Sequence, residues 1–314
     1  MLTIEDAKKY FPTKPHIGSA MPERMKYLLL APPKWGKTTF LAGTPGALLL
    51  AFEEGHAFVE CHKIVITSWY ARLQDRGVHE DDQGIKYSSA LEILEALEAV
   101  KPCPYKMIII DTVDAAVKMC TDYECFNAKI QHPSDGGDYG KGWDLYQTTP
   151  FRRFYNRIVK LGVGVGCTSH IREDWKPNKY GEQLYRRNST LPAGIERFIH
   201  AQSDVIINGT YARKRKGQIT RDRVVSFDGS DEVMAGTRIT KIRIPNKYIV
   251  DSPQKDIAAP WKQWANFFVH SPAAGEEAEK RYLNLASGKD DEALESEKSA
   301  DSNEKKLTDK SKSI

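Results

Sequence analysis

The stretch Leu28-Leu-Leu-Ala31-Pro-Pro-Lys-Trp-Gly36-Lys37-Thr38-Thr39 constrains this chain more than any other. An apolar run meets a tight loop, and Gly-Lys-Thr then opens a helix. That join suits a buried strand whose following loop turns its N–H groups, with those at the start of the helix, onto anionic oxygens. It is the layout of a phosphate-binding loop for a nucleoside triphosphate. Lys37 is placed to reach the β and γ phosphates, and the Thr38 hydroxyl to hold Mg²⁺. The expected contact set is Ala31, Pro32, Pro33, Lys34, Trp35, Gly36, Lys37, Thr38 and Thr39. One position departs from G-x-x-x-x-G-K-[ST]: Ala31 stands where the first glycine belongs. Alanine fits there if its φ is negative and is strained if φ is positive.

Downstream, short apolar runs alternate with amphipathic segments. The runs are Tyr27–Ala31, Ala47–Phe52, Lys63–Thr67, Met107–Asp111, Val163–Ser169, Asp204–Asn208 and Arg238–Ile244. The first five are nearly continuously apolar, as strands covered on both faces of a parallel sheet are. Ser89-Ala-Leu-Glu92 reads as a capping box ahead of Ile93, Leu94, Leu97 and Val100. Thr149-Pro150 suits a helix start, with Phe151, Phe154, Ile158 and Leu161 at core-facing spacing. The alternation predicts a doubly wound α/β fold with a mostly parallel sheet. From Arg213 to Ile244 the pattern changes to short strands and turns, broken at Asp228-Gly229 and Ala235-Gly236. That predicts an antiparallel extension at the sheet edge.

Three segments follow: an arm over 1–20, one α/β domain over 21–270, and a charged tail over 271–314. From Gly275 onward the tail has no Trp or Phe and is rich in Glu, Lys, Asp and Ser. It is expected to be largely disordered, apart from a helical turn near Tyr282–Leu285.

With 314 residues and 40% hydrophobic content, the chain can bury a substantial core. Its net charge of +4 does not by itself indicate a nucleic-acid partner. No apolar run reaches the length of a membrane span, and Met1-Leu-Thr-Ile-Glu-Asp lacks the layout of a secretion signal. The five cysteines, Cys61, Cys103, Cys120, Cys125 and Cys167, are odd in number and scattered. They argue for reduced thiols, a cytoplasmic protein and no zinc site, with Cys167 a small buried residue.

Three further elements complete the phosphate-site reading. Lys106-Met-Ile-Ile-Ile-Asp111-Thr112 is a strand ending in an aspartate that either holds Mg²⁺ or caps the next helix. Ala51-Phe-Glu53-Glu54-Gly55-His56 places two acids at a strand end. Glu54, followed by glycine, is the preferred residue to polarise the attacking water, with Glu53 the alternative and two solvated loop acids the ordinary case. Val163–His170 ends in Ser169 and His170, either of which is placed to sense the γ phosphate. A lone histidine is also commonly structural.

In this order, the elements resemble the RecA-like P-loop ATPase core. They look most like the phage-encoded AAA-type nucleotide-binding proteins that act as RecA-like single-strand annealing recombinases. The stretches that carry the likeness are A-P-P-K-W-G-K-T-T, L-L-A-F-E-E-G, I-I-I-D-T, W-D-L-Y…F-R-R-F-Y-N-R-I with V-G-C-T-S-H, and L-P-A-G-I-E-R-F-I-H-A-Q-S-D-V-I-I, within residues 22–250. The resemblance implies ATP and Mg²⁺ as cofactors. It makes Glu54, Lys37 and His170 the catalytic set, and Thr38 and Asp111 the metal residues. Ala31 departs from the family pattern, and so does bulky Trp35, which either reshapes the loop or stacks on a neighbour.

RecA-like cores hold single-stranded DNA in loops after the metal strand and after the sensor strand. Here Arg172–Arg187 interleaves aromatic and basic residues. Trp175, Tyr180 and Tyr185 are placed to stack on bases at ~1–3 kcal/mol each. Lys176, Lys179, Arg186 and Arg187 are placed to meet phosphates. A solvated loop with aromatic anchors would look similar. Ser134–Gly142 is a weaker candidate. The basic run Arg213, Lys214, Arg215 and Lys216 reads equally as a finger into a neighbouring subunit's nucleotide, a DNA contact or a solvated hairpin. The finger requires a homo-oligomer. The tail is either a dock for a single-strand DNA-binding protein or an inert linker. The expected function is an ATP-dependent DNA recombination protein of the cytoplasm, the host's if phage-encoded, without a membrane partner. The alternatives are a nucleotide-gated binding module with little hydrolysis, or a helicase- or packaging-type motor.

Overall fold

Strand β1 (Lys26–Leu30) lies inside the sheet because it is apolar at almost every position, and the loop that follows it is therefore held at the sheet's carboxyl edge. The computed structural model describes residues 21–71, 75–137, 139–177, 183–213, 219–229, 235–239, 242–254 and 256–287. After β1 come α1 (Lys37–Ala42), β2 (Ala47–Ala51), β3 (His62–Ser68), β4 (His79–Glu80), β5 (Lys86–Ser89) and α2 (Ala90–Ala99). Next are β6 (Met107–Asp111), α3 (Val113–Ala128), α4 (Thr149–Lys160), β7 (Gly164–Ser169), β8 (Ile171–Pro177), β9 (Gln183–Ser189) and α5 (Ala193–Gln202). The chain continues through β10 (Val205–Arg213), β11 (Ile219–Ser226), β12 (Gly236–Thr237), β13 (Lys247–Ile249), α6 (Ala259–Val269) and α7 (Ala273–Ser287).

The main sheet runs β13-β11-β10-β1-β7-β6-β2-β3-β5-β4, with β12 also on β10. From β10 through to β5 every neighbouring pair is parallel. β11, β12 and β13 add the antiparallel extension expected at one edge, and β4 closes the other edge antiparallel. In the order β10-β1-β7-β6-β2, β7 lies between the loop strand and the aspartate strand.

Alternate residues of the central strands feed two cores. Leu28, Leu30, Leu48, Leu50, Ile108 and Ile110 pack beneath α2, α3, α4 and α5. Leu29, Leu49, Ile109 and Ile207 pack beneath α1 and α6. Each such side chain contributes roughly 1.5–3 kcal/mol by leaving water. α6 seals the second face with Trp261, Trp264 and Phe267, and the Trp264 indole donates to the Tyr27 hydroxyl at 3.1 Å. Cys167 is fully buried, and among the described residues no helix is long and apolar enough to cross a membrane.

Several expectations move. Ser89 is the N-cap of α2, but its hydroxyl donates to the Glu92 carboxylate instead of accepting a backbone N–H. Thr149-Pro150 does not start a helix from a loop: a π-helical turn over Asp144–Thr148 runs straight into α4, although Phe151, Phe154 and Ile158 are buried as expected. Of the segment expected as a strand over Arg238–Ile244, the described residues 238–239 and 242–244 are not in a strand; the short rung β12 lies just before it, and the next described strand is β13.

The largest change concerns the tail. Ala273–Ser287 is a helix of 15 residues, not a turn in a disordered segment. Gly275 and Ala278 are buried, and Tyr282 and Leu285 pack on Ala212, Val224 and Ile249. The packed chain therefore extends past the expected boundary at 271. The arm over 1–20 and the rest of the tail, 288–314, lie outside the described residues.

Candidate nucleotide site

The carboxyl ends of β1, β7, β6 and β2 lie side by side. They bring together residues that are far apart in sequence. Between β1 and α1 the loop alternates hand: Lys34 (φ 63°) and Gly36 (φ 99°) are left-handed, and Trp35 between them is not. Alternation of this kind turns successive N–H groups into one concavity, which suits an anion. Ala31 is not left-handed, so the missing first glycine brings no backbone strain. Its β-carbon lies against Gly209 of β10, where a side chain would collide with it.

Trp35 anchors the loop to the sheet. Its ring is buried, packs beside Phe40, and donates its N–H to the Thr210 carbonyl of β10 at 2.7 Å.

Lys37 is buried. Its ammonium donates to the carbonyls of Ala31 (3.1 Å) and Pro32 (3.3 Å) and to His170 Nδ1 (3.2 Å). Burial pushes its pKa down, opposed by the nearby carboxylates of Asp111, Glu53 and Asp114. Thr38 donates to Asp111 Oδ2 at 2.9 Å, and the Thr168 hydroxyl donates to Oδ1 of the same carboxylate. Asp111 is buried at the end of β6, and burial raises its pKa despite those two hydroxyl bonds. It does not cap α3. That role falls to Thr112, whose hydroxyl accepts the Ala115 N–H at 3.4 Å.

Of the two acids after β2, Glu53 is the one engaged. It accepts from the Thr112 hydroxyl at 2.5 Å and lies 3.4 Å from His170 Nε2. The His170 bond, more than any other cause, holds its carboxyl below the usual range. Glu54 is exposed. Of the two sensor candidates, His170 touches Lys37, whereas Ser169 is buried with its hydroxyl toward the His170 carbonyl at 3.4 Å.

His170 is also where the antiparallel ribbon β8–β9 is rooted. Its N–H lies 3.4 Å from Asp114 Oδ2, its carbonyl accepts the Thr190 N–H at 3.1 Å, and the Thr190 hydroxyl donates to Asp114. Within the ribbon, Trp175 pairs in register with Tyr185, Lys176 with Leu184 and Asp174 with Arg186. Lys179 and Tyr180 lie outside the described residues. Arg187 is tied inward: its guanidinium donates to Asn208 Oδ1 at 3.3 Å and sits 3.3 Å from the Glu173 carboxylate. Arg213 ends β10, and Lys214, Arg215 and Lys216 lie outside the described residues.

The sequence reading did not single out Thr112, Asp114, Thr168 or Thr190. Thr168 was within reach: Ile110 pairs with Cys167, so the next residues on the two strands, Asp111 and Thr168, end up adjacent. Asp114 and Thr190 carry no local signal, because they meet only through the ribbon's return.

An AAA-domain family model matches residues 23–239. A stretch of 76 residues is 33% identical to the SPbeta prophage-derived uncharacterized protein YorG of Bacillus subtilis (strain 168), covering 24% of this chain and only 23% of that protein. A KaiC-like protein from Pyrococcus horikoshii OT3 aligns over 74% of this chain and 87% of its own, at 15% identity and a TM-score of 0.36. The flagellar accessory protein FlaH of Methanocaldococcus jannaschii aligns over 74% and 92%, at 11% identity and a TM-score of 0.33. With the family match spanning most of its length and a phosphate loop at the centre of its sheet, the chain belongs to the AAA domain family of P-loop nucleotide-binding ATPases.

Proposed function

We propose that this chain is a Mg²⁺-dependent ATPase that acts on single-stranded DNA in recombination of the phage type. One observation carries the reading: a single imidazole, His170, contacts both Lys37 and Glu53 and is followed directly by the ribbon β8–β9. A group that meets the phosphate-loop lysine and the polarising acid is placed to register the nucleotide's state. Its backbone, tied to Asp114 and Thr190, is placed to pass that state to the ribbon.

The donor set fits a magnesium nucleotide. Lys37 would exchange its loop carbonyls for phosphate oxygens. Thr38 and Asp111 offer two hard oxygen ligands, and Mg²⁺ bound with a nucleotide asks for only one or two from protein. When bound, Mg²⁺ would neutralise charge on the phosphates. Glu53 orients the attacking water and accepts its proton. It is preferred to Glu54 because it is the acid in contact with His170.

The alternation of aromatic and basic residues in the ribbon sequence supports single-stranded DNA as the second ligand. The local likeness to a prophage-derived protein supports the phage setting. The basic run 213–216 would serve a neighbouring subunit's nucleotide if the protein assembles.

The test is ATP turnover with and without single-stranded DNA, comparing the full chain with Lys37→Ala. Turnover should rise with DNA and vanish in the variant. If DNA neither binds nor alters turnover, the recombination reading falls and the nucleotide reading stands. Nucleotide binding without turnover would favour a gated binding module. Strand separation on a forked duplex would favour a motor.

A further inference from the structure

We propose that Arg223, on β11, is a second cationic contact for the nucleotide's phosphates, supplied by the same chain from the side of the loop opposite His170. The inference rests on the nucleotide reading above.

The geometry begins at Gly36. A β-carbon built there would lie 2.6 Å from Arg223 Nη1, 3.1 Å from Cζ and 3.7 Å from Nη2. The guanidinium thus lies over the residue that precedes Lys37. Gly36 also needs its left-handed backbone, with φ 99°. The turn favours glycine here, and the guanidinium packs against its bare face.

This approach is built into the sheet. β1 lies between β7 and β10. His170 reaches the loop from β7, and Arg223 reaches it from beyond β10. Tyr211 of β10 pairs with Arg223 and Thr210 pairs with Val224. The Thr210 carbonyl also accepts the Trp35 indole N–H at 2.7 Å. The loop, β10 and β11 are therefore fastened together, and Arg223 on β11 is half-buried.

Charge gives the reason for a cation here. The Lys37 side of the loop carries three nearby carboxylates, Asp111, Glu53 and Asp114. That side suits a metal. The phosphates farther from the metal need positive charge from elsewhere, and a planar guanidinium matches phosphate oxygens two at a time. Arginine also stays charged across the accessible pH range.

The experiment is titration calorimetry of the full chain with ATP, ADP and GTP, comparing wild type, Arg223→Gln, Arg223→Lys and Lys37→Ala. Gln keeps much of the side-chain stem, and the melting temperature of each free variant checks that it folds. Arg223→Gln should weaken ATP and ADP binding about 10- to 100-fold, the loss expected for a charged hydrogen-bonded contact. The loss should be equal for GTP, and Arg223→Lys should recover part of it. Unchanged affinity in a folded Arg223→Gln protein would overturn the assignment. So would a loss that differs more than tenfold between ATP and GTP, which would make Arg223 a base contact. If wild type binds no nucleotide, the underlying nucleotide reading fails instead. That result is distinguishable, because Lys37→Ala then matches wild type.

Discussion

Replacing Gly209 with alanine adds one methyl group at the point where the phosphate loop meets β10. The new β-carbon would lie 2.6 Å from Trp35 Cε2, 2.8 Å from the Ala31 β-carbon and 2.9 Å from Trp35 Cδ2. All three contacts are too short. Gly209 is not left-handed, so the backbone accepts alanine and the cost is one of space. The neighbours cannot yield: Trp35 is 1% exposed and Ala31 0%. Overpacking of this kind costs about 1–3 kcal/mol, and removing glycine's freedom from the unfolded chain returns about 0.5–1 kcal/mol. A net loss of about 1–2 kcal/mol lowers the melting temperature of a chain this long by roughly 1.5–3 °C. The displaced ring also strains the Trp35–Thr210 bond two residues before Lys37, so ATP affinity should fall about tenfold or more, each factor of ten being about 1.4 kcal/mol. Melting curves and ATP titration read both effects. Adding Ala31→Gly removes the 2.8 Å contact, so the double variant should recover part of the loss. A Gly209→Ala protein that melts at or above the wild-type temperature and binds ATP normally would refute the claim that the loop is locked onto β10.

Three further variants probe the acids. Glu53→Gln should cut ATP turnover about 10²–10⁴-fold while leaving nucleotide binding in place, and Glu54→Gln should leave turnover nearly unchanged; steady-state rates that reverse this order would reassign the water-polarising acid. Asp111→Asn should abolish turnover yet stabilise the free protein. The sign follows from burial, which raises the Asp111 pKa above its unfolded value. The folded state then favours the protonated form, and stability is lost as pH rises from the unfolded toward the folded value. At neutral pH, Asp111→Asn should melt higher than wild type. The gap should close as pH falls below the ordinary carboxylate range. A gap of the opposite sign, or one independent of pH, would contradict this account.

The parallel core was legible because β1, β2, β6 and β7 are apolar on both faces, which few other arrangements tolerate. The phosphate loop was legible because its chemistry is local. What escaped depends on register and distance. Glu53 and Glu54 are adjacent in the bend just after β2, where no strand alternation says which of them faces the site. The choice between them is set by contacts with the next strand, such as the Phe52 N–H to the Asp111 carbonyl at 2.7 Å. The role of Trp35 depends on Gly209 and Thr210, which the loop sequence cannot announce. Arg187 read as an open cation, yet its partners are Asn208 on β10 and Glu173 on β8. The last helix escaped because its buried positions include Gly275 and Ala278, and small residues amid charges do not stand out as an apolar stripe.

Helix α7 sets where a working fragment can be cut. Tyr282 and Leu285 brace Val224, the neighbour of Arg223 on β11, and Arg281 fastens the helix to Asp251 just beyond β13 at 2.7 Å. Shortening the chain near residue 271, as its composition invites, would remove this brace from the strand that carries the guanidinium over Gly36. An expression boundary intended to preserve ligand affinity must therefore lie beyond Ser287.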